Sequence, residues 1–186
     1  MLQIMSHRAP DDKGVYSDNE ATIGMGRLKI LDLFSENLCP YIDENLVLSF
    51  NGEIYNYKDI KSELKNLGFK FKTNSDTEVL AQAWHKWGTK IFSKLNGMFA
   101  FAIYDKKNKK IYLARDIAGE KPLYYVEKNK KLYFASEAKS LIKYLDLTKT
   151  NQKDYYVFQH CLNQTLFKNL NQIPAANFLE YDLDKK

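Results

Sequence analysis

The stretch LVLSFNGEIYNY at residues 46–57 constrains the chain more than any other. Leu46, Val47, Leu48 and Phe50 form the short apolar run of a buried strand, which is expected to stop at Asn51, Gly52 and Glu53. A strand that gives way to an amide, a glycine and an acid offers polar groups to a small molecule. Gly52 has no Cβ, so a ligand can approach its backbone N–H closely, and the Asn51 amide supplies a second donor. Two such donors suit an oxyanion hole. Asn-Gly is also the strongest short hairpin signal, and the dipeptide alone favours a turn. The surrounding chain decides between them.

A length of 186 residues suits one domain with a sizeable core. Aromatic residues are abundant, 13 Tyr and 11 Phe, which predicts a folded, sheet-rich globule and excludes a disordered chain. The net charge of +5 raises the question of nucleic acid, but only Arg8, Arg27 and Arg115 of the 28 basic residues are arginine. The lysines are scattered through loops such as 106–110 and 128–131, as on a solvated surface, so no nucleic-acid partner is expected. Cys39 and Cys161 are too few and too distant for a disulfide framework or a zinc site, which points to a reducing cytoplasm. His7, His85 and His160 lack ligand spacing, so no metal is expected. No segment has the unbroken apolar length of a membrane helix, and MLQIMSHRAPDD lacks the zones of a secretory leader; the expectation is a cytoplasmic protein with no membrane partner.

Residues 1–6 read as the last turns of a helix. Residues 23–33, IGMGRLKILDL, predict a strand in which Gly24 and Gly26 admit a close neighbour. Arg27 sits in its middle. A lone arginine there either pairs with a structural acid or aims its planar fork at a carboxylate ligand, and taken alone the structural pair is favoured. A helix is predicted over 58–67, ended by Gly68, then a short strand over 69–73. Ser75 and Glu78 match a capping box for a helix running to Gly88. Asp76 in that first turn can also hold a ligand's ammonium group, although the helix dipole there favours the anion. Two hairpins follow, 98–104 with 110–114 and 123–127 with 132–135, joined by a rigid polar link at 115–122. A helix over 136–145 capped by Ser136, a helix over 155–162 and a strand over 177–181 complete the chain. Hairpins alternating with few helices argue for an antiparallel α+β layered domain and against a parallel βαβ array.

Seven ordered motifs carry a family resemblance: HRAPDD (7–12), RLKILDL (27–33), SFNGEIYNY (49–57), SDTEVL (75–80), LNGMFAFAIYD (95–105), LARDIAGEKPLYY (113–125) and FASEAKSLI (134–142). Together they resemble the glutamine-hydrolysing domain of the asparagine synthetases, a class II, N-terminal-nucleophile glutamine amidotransferase. The resemblance implies an αββα sandwich of antiparallel sheets of the N-terminal-nucleophile hydrolase type. It implies that Arg27 clamps the α-carboxylate of glutamine and that the backbone at Leu28, Lys29, Ile30 and Leu31 lines the pocket. Asn51 and Gly52 would form the oxyanion hole, and Glu53 and Asp76 would receive the α-ammonium group.

In the family the nucleophile is an N-terminal cysteine whose own amine is the base. This sequence starts MLQIMSH, and the resemblance sets Met1 inside the helix after the family's first strand. The single domain over 1–186 is therefore expected to be inactive as it stands and, because that first strand would lie mid-sheet, to be either a front-truncated record of a longer protein or a domain that is marginal alone. Cys39 is expected to be a buried or loop thiol. Local departures are Ala9 for glycine, and Ile117, Ala118 and Glu120 before Lys121-Pro122. No cofactor is implied for this domain. ATP and magnesium are implied for a following synthetase domain, which would be the partner of this one, and a homodimer is compatible with it. The alternative is a non-catalytic pseudo-glutaminase, a binding or scaffold domain like those related to β-lactam synthetases. An upstream Met-Cys-Gly in the coding DNA would separate the two.

Overall fold

The architecture was obtained as a computed structural model, which describes residues 1–27, 39–144, 165 and 167–185. Its strands are β1 (Asp12–Ser17), β2 (Thr22–Arg27), β3 (Tyr41–Ile42), β4 (Leu46–Ile54), β5 (Gly97–Asp105), β6 (Lys110–Arg115), β7 (Tyr124–Lys128), β8 (Lys131–Ala135), β9 (Asn171–Gln172) and β10 (Phe178–Asp182). Two α-helices, α1 (Tyr57–Asn66) and α2 (Asp76–Trp87), lie between β4 and β5.

A five-stranded antiparallel sheet in the order β10-β6-β5-β4-β3 forms the centre. Its strands alternate sides with the period of two that a pleat imposes. Leu46, Leu48, Phe50, Phe101 and Ile103 bury one face against Ile60 and Leu64 of α1 and Val79, Leu80 and Trp84 of α2. Val47, Ala100, Ala102, Tyr104, Ile111 and Leu113 bury the other face against Ile23, Leu123 and Ile173. That second layer comprises the β1-β2 ribbon and the β8-β7-β9 sheet. Behind it, Val126, Ala135, Leu141 and Leu170 form a third cluster, covered by Met5 and Tyr144 from 3-10 turns at Leu2–Arg8 and Ala138–Tyr144. The layers thus run helix, sheet, sheet, helical turn.

Several local expectations change. β4 does not stop at Asn51; it pairs without interruption with β5 through Ile54↔Gly97, so Asn51-Gly52 is neither a strand end nor a turn. The partner strand supplies the reason: a complete ladder outweighs the local turn preference of the dipeptide. Residues 69–73 are not a strand, because their backbone is taken by a side chain: Glu78 accepts the N–H groups of Lys72 and Thr73 at 2.8 and 2.7 Å. Glu78 is therefore not reaching back to the cap, and the capping box is half formed, with Ser75 Oγ accepting the Thr77 N–H at 3.0 Å. The segments expected as helices at 1–6 and 136–145 are 3-10 turns. β2 is described as far as Arg27; the rest of the strand expected over 23–33, and the helix expected over 155–162, lie outside the described residues.

Gly26 explains how the first turn packs on the β1-β2 ribbon. A Cβ there would fall 2.5 Å from the Ala9 Cβ, so the close neighbour is the chain itself. Cys39 is a partly buried thiol that donates to the Met25 carbonyl at 3.2 Å.

Candidate active site

The two layers part around a cavity of about 590 Å3, within the range of small-molecule sites. Arg27, Asn51, Gly52, Glu53 and Asp76 all border it. Leu28, Lys29, Ile30 and Leu31 lie outside the described residues.

Pleat parity puts the β4 groups there. Phe50 faces the helices, so Ser49, Asn51 and Glu53 face the gap between the sheets, opposite Ala102, Ala100 and Met98. Main-chain parity acts at right angles to this. Tyr55 N–H donates to the Asn96 carbonyl at 2.8 Å on the β5 side, whereas Ile54 N–H turns the other way, to Asp76 Oδ2 at 3.1 Å. Gly52, two residues before Ile54, directs its N–H and C=O to the same side as Ile54. Among the described residues β3 pairs with β4 only at Val47 and Leu48, leaving that edge open along Gly52.

Gly52 adopts φ +144°, a conformation L side chains rarely take. An added Cβ would lie 2.7 Å from Phe99 Cα and closer still to the Met98 carbonyl. Glycine is required here for the packing of β4 on β5 as well as for access from the cavity.

Asn51 carries the most informative atom. Its Nδ2 is buried and has no hydrogen-bond partner among the described residues. Leaving a buried donor unpaired costs about 1–3 kcal/mol, so such groups are scarce in folded proteins.

Asp76 is buried at the start of α2, beside the cavity-lining Thr77. Burial pushes its carboxyl above the ordinary value, the N–H groups of Ile54 and Thr77 work against that shift, and the Glu53 charge adds to it. A carboxylate raised by burial and a like charge gains from a cation placed beside it.

Arg8, Lys13, Met98 and Lys121 also border the cavity, and no residue pattern singles out any of them. Asp116 is another omission: read as part of a polar link, it is a buried carboxylate holding three N–H groups.

The class follows from comparison with known families: the family model described as a glutamine amidotransferase domain matches residues 1–186, and the chain belongs to that family. Among curated relatives it is similar to asparagine synthetase [glutamine-hydrolyzing] 1 of Bacillus subtilis (strain 168), 42% identical over 163 residues, covering 86% of this chain and 26% of that protein. It is also similar to asparagine synthetase [glutamine-hydrolyzing] 3 of the same organism, 30% identical over 99% of this chain and 31% of the relative. A putative asparagine synthetase [glutamine-hydrolyzing] 2 of Methanocaldococcus jannaschii is 32% identical over 100% of this chain and 41% of the relative. The chain thus spans well under half the length of these relatives. A solved glutamine phosphoribosylpyrophosphate amidotransferase from B. subtilis shares the fold, with a TM-score of 0.51 over 87% of this chain and 34% of the other, at 22% identity. The α+β sandwich of antiparallel sheets is accordingly of the N-terminal-nucleophile hydrolase type.

Proposed function

We propose that this chain is the glutamine-binding, ammonia-supplying domain of an asparagine-synthetase-type enzyme. Glutamine would enter the cavity with its α-carboxylate on the Arg27 guanidinium and its α-ammonium between Glu53 and Asp76. Its side-chain amide oxygen would face Asn51 Nδ2 and the Gly52 N–H. Nucleophilic attack on that amide carbon moves charge onto the oxygen, and the two donors stabilise it as it grows.

The observation that carries this reading is the unpartnered, buried Asn51 Nδ2 beside Gly52. A ligand oxygen satisfies that donor, and nothing else described does. Cys39 bonds to Met25 and does not border the cavity, so it is not placed to attack.

The ammonia acceptor, aspartate in the reaction proposed, would be amidated in a synthetase domain that binds ATP and magnesium. The much greater length of the relatives supports such a partner. A reducing cytoplasm suits the Cys39 thiol, which forms no disulfide among the described residues.

Calorimetric titration of the chain with L-glutamine tests the proposal. Saturable binding is expected, with D-glutamine and L-glutamate clearly weaker. Equal heats from all three, or none from L-glutamine at tens of millimolar, would remove glutamine from the site.

A further inference from the structure

We infer that Asp116 is a positioning residue for the Asn51-Gly52 segment of β4, an inference that rests on the glutamine-binding role proposed above. Asp116 does not itself border the cavity, so it acts through what it holds.

β6 ends its pairing with β5 at Arg115↔Ala100. Asp116 then supplies the next rung with mixed chemistry. Its N–H donates to the Phe99 carbonyl at 2.9 Å, and its Oδ2 accepts the Phe99 N–H at 3.1 Å. Phe99 is the register partner of Gly52. The polar groups of Phe99 point to β6 and those of Gly52 point to the opposite edge, so the two meet through their Cα atoms with no hydrogen bond between them. The position of Gly52 is thus set by contact with a residue whose two polar groups both end on Asp116.

The same carboxylate organises the cavity rim. Oδ1 accepts the Glu120 N–H at 2.9 Å, and Oδ2 also accepts the Lys121 N–H at 3.1 Å; Lys121 borders the cavity. Arg115 holds the loop from the other side, donating Nε to the Lys121 carbonyl at 2.7 Å, a second nitrogen to the Ile173 carbonyl at 2.9 Å and a third to the Gly119 carbonyl. Asp116 is 1% exposed, and three N–H groups converge on its two oxygens. Only a carboxylate satisfies all three, since an amide sets an NH2 group against one of them. Burial opposes its ionisation, but the N–H donors of Glu120, Lys121, Phe99 and Gly119 outweigh it and hold the carboxyl below the ordinary value.

Amide NMR with glutamine titration tests this. In Asp116→Ala, Phe99 hydrogen exchange is expected to accelerate at least tenfold and the Gly52 amide signal to move, while Leu64 in α1 keeps its rate. Glutamine affinity is expected to fall fivefold or more. If the substitution accelerates exchange throughout, α1 included, Asp116→Asn decides instead. Its one oxygen can keep the Phe99 and Lys121 bonds while its NH2 opposes Glu120, so Glu120 exchange should rise and Gly52 should move less. A Gly52 signal unmoved in a folded Asp116→Ala overturns the inference, as does unchanged glutamine affinity where Gly52 has moved. Where Asp116→Asn decides, Phe99 exchange and the Gly52 signal should stay near the parent values or change together, and a change in one without the other overturns it. If the unsubstituted chain does not bind glutamine, the proposed function fails on that result alone, and the Gly52 and Phe99 signals still decide the role of Asp116.

Discussion

Asp76 Oδ2 accepts the N–H of Ile54 at 3.1 Å, which ties the first residue of α2 to the last residue of β4. One carboxylate thereby closes the open strand edge and faces the cavity. Its carboxyl is raised, chiefly by burial, so the folded state holds the proton more tightly than the unfolded chain does. The sign follows from linkage: stability falls as pH rises from about 3.9, the unfolded value, through the raised folded one. Binding of an ammonium group needs the charged form and runs the other way, weakening as pH falls through that raised value.

Asp76→Asn separates the two effects. The amide oxygen can keep the Ile54 bond, so urea denaturation at pH 7 should show stability equal to or above that of the parent chain. Glutamine affinity should drop roughly tenfold or more, about 1.4 kcal/mol, and lose its acid limb. A variant that binds glutamine as tightly as the parent at pH 7 would take Asp76 out of the site.

Arg27→Ala should weaken L-glutamine by about 2–5 kcal/mol, the range for removing one partner of a desolvated charge pair. The specificity matters more than the size. 4-Aminobutanamide, which has the amide and ammonium but no carboxylate, should bind parent and variant alike in calorimetry. A parallel loss for both ligands would mean that Arg27 supports the structure and not the carboxylate.

Gly52→Ala should destabilise the chain by at least about 2 kcal/mol, since a strained φ alone costs on the order of 1–3 kcal/mol and the new methyl meets Met98 and Phe99. Urea midpoints measure this. A change within about 0.5 kcal/mol, the span of an ordinary surface substitution, would show that β4 and β5 have room the geometry denies them.

His85 Nε2 lies 2.7 Å from Asp43 Oδ2, joining α2 to the turn before β4. The hydrogen bond to Asp43 raises the imidazole, burial opposes the shift, and the charges of Asp43 and Asp105 reinforce it. The stabilisation is therefore complete below about pH 6.5, the unfolded value, and is lost as pH rises through the folded one. Asp43→Asn should remove roughly 0.5–1 kcal/mol at pH 5.5 and much less at pH 9. Equal losses at both values would show that imidazole charge is not involved.

Two hairpins were legible because apolar, aromatic-rich runs flank turns of polar residues; 98–104 with 110–114 falls within one residue of β5 and β6 at every end. The candidate site was legible as residue types, an arginine, two acids and an amide beside a glycine, all of which border one cavity. The setting of Asn51-Gly52 was not. Local chemistry favours a turn there, and only β5, more than forty residues further on, holds it extended. Glu78 misled in the same way, its carboxylate being claimed by Lys72 and Thr73 instead of the cap. Asp116 carried no signal because its importance lies in the N–H groups it gathers, which no side-chain pattern records.

β4 serves two masters by turns: Leu46, Leu48 and Phe50 face the helices, while Ser49, Asn51 and Glu53 face the gap. A one-residue insertion or deletion before Asn51 would exchange these sets, placing an amide and an acid among the helices and an aromatic ring in the cavity. Descendants of such a chain can therefore vary their chemistry at this place by replacing side chains, whereas a shift of frame forfeits the scaffold and the pocket in one event.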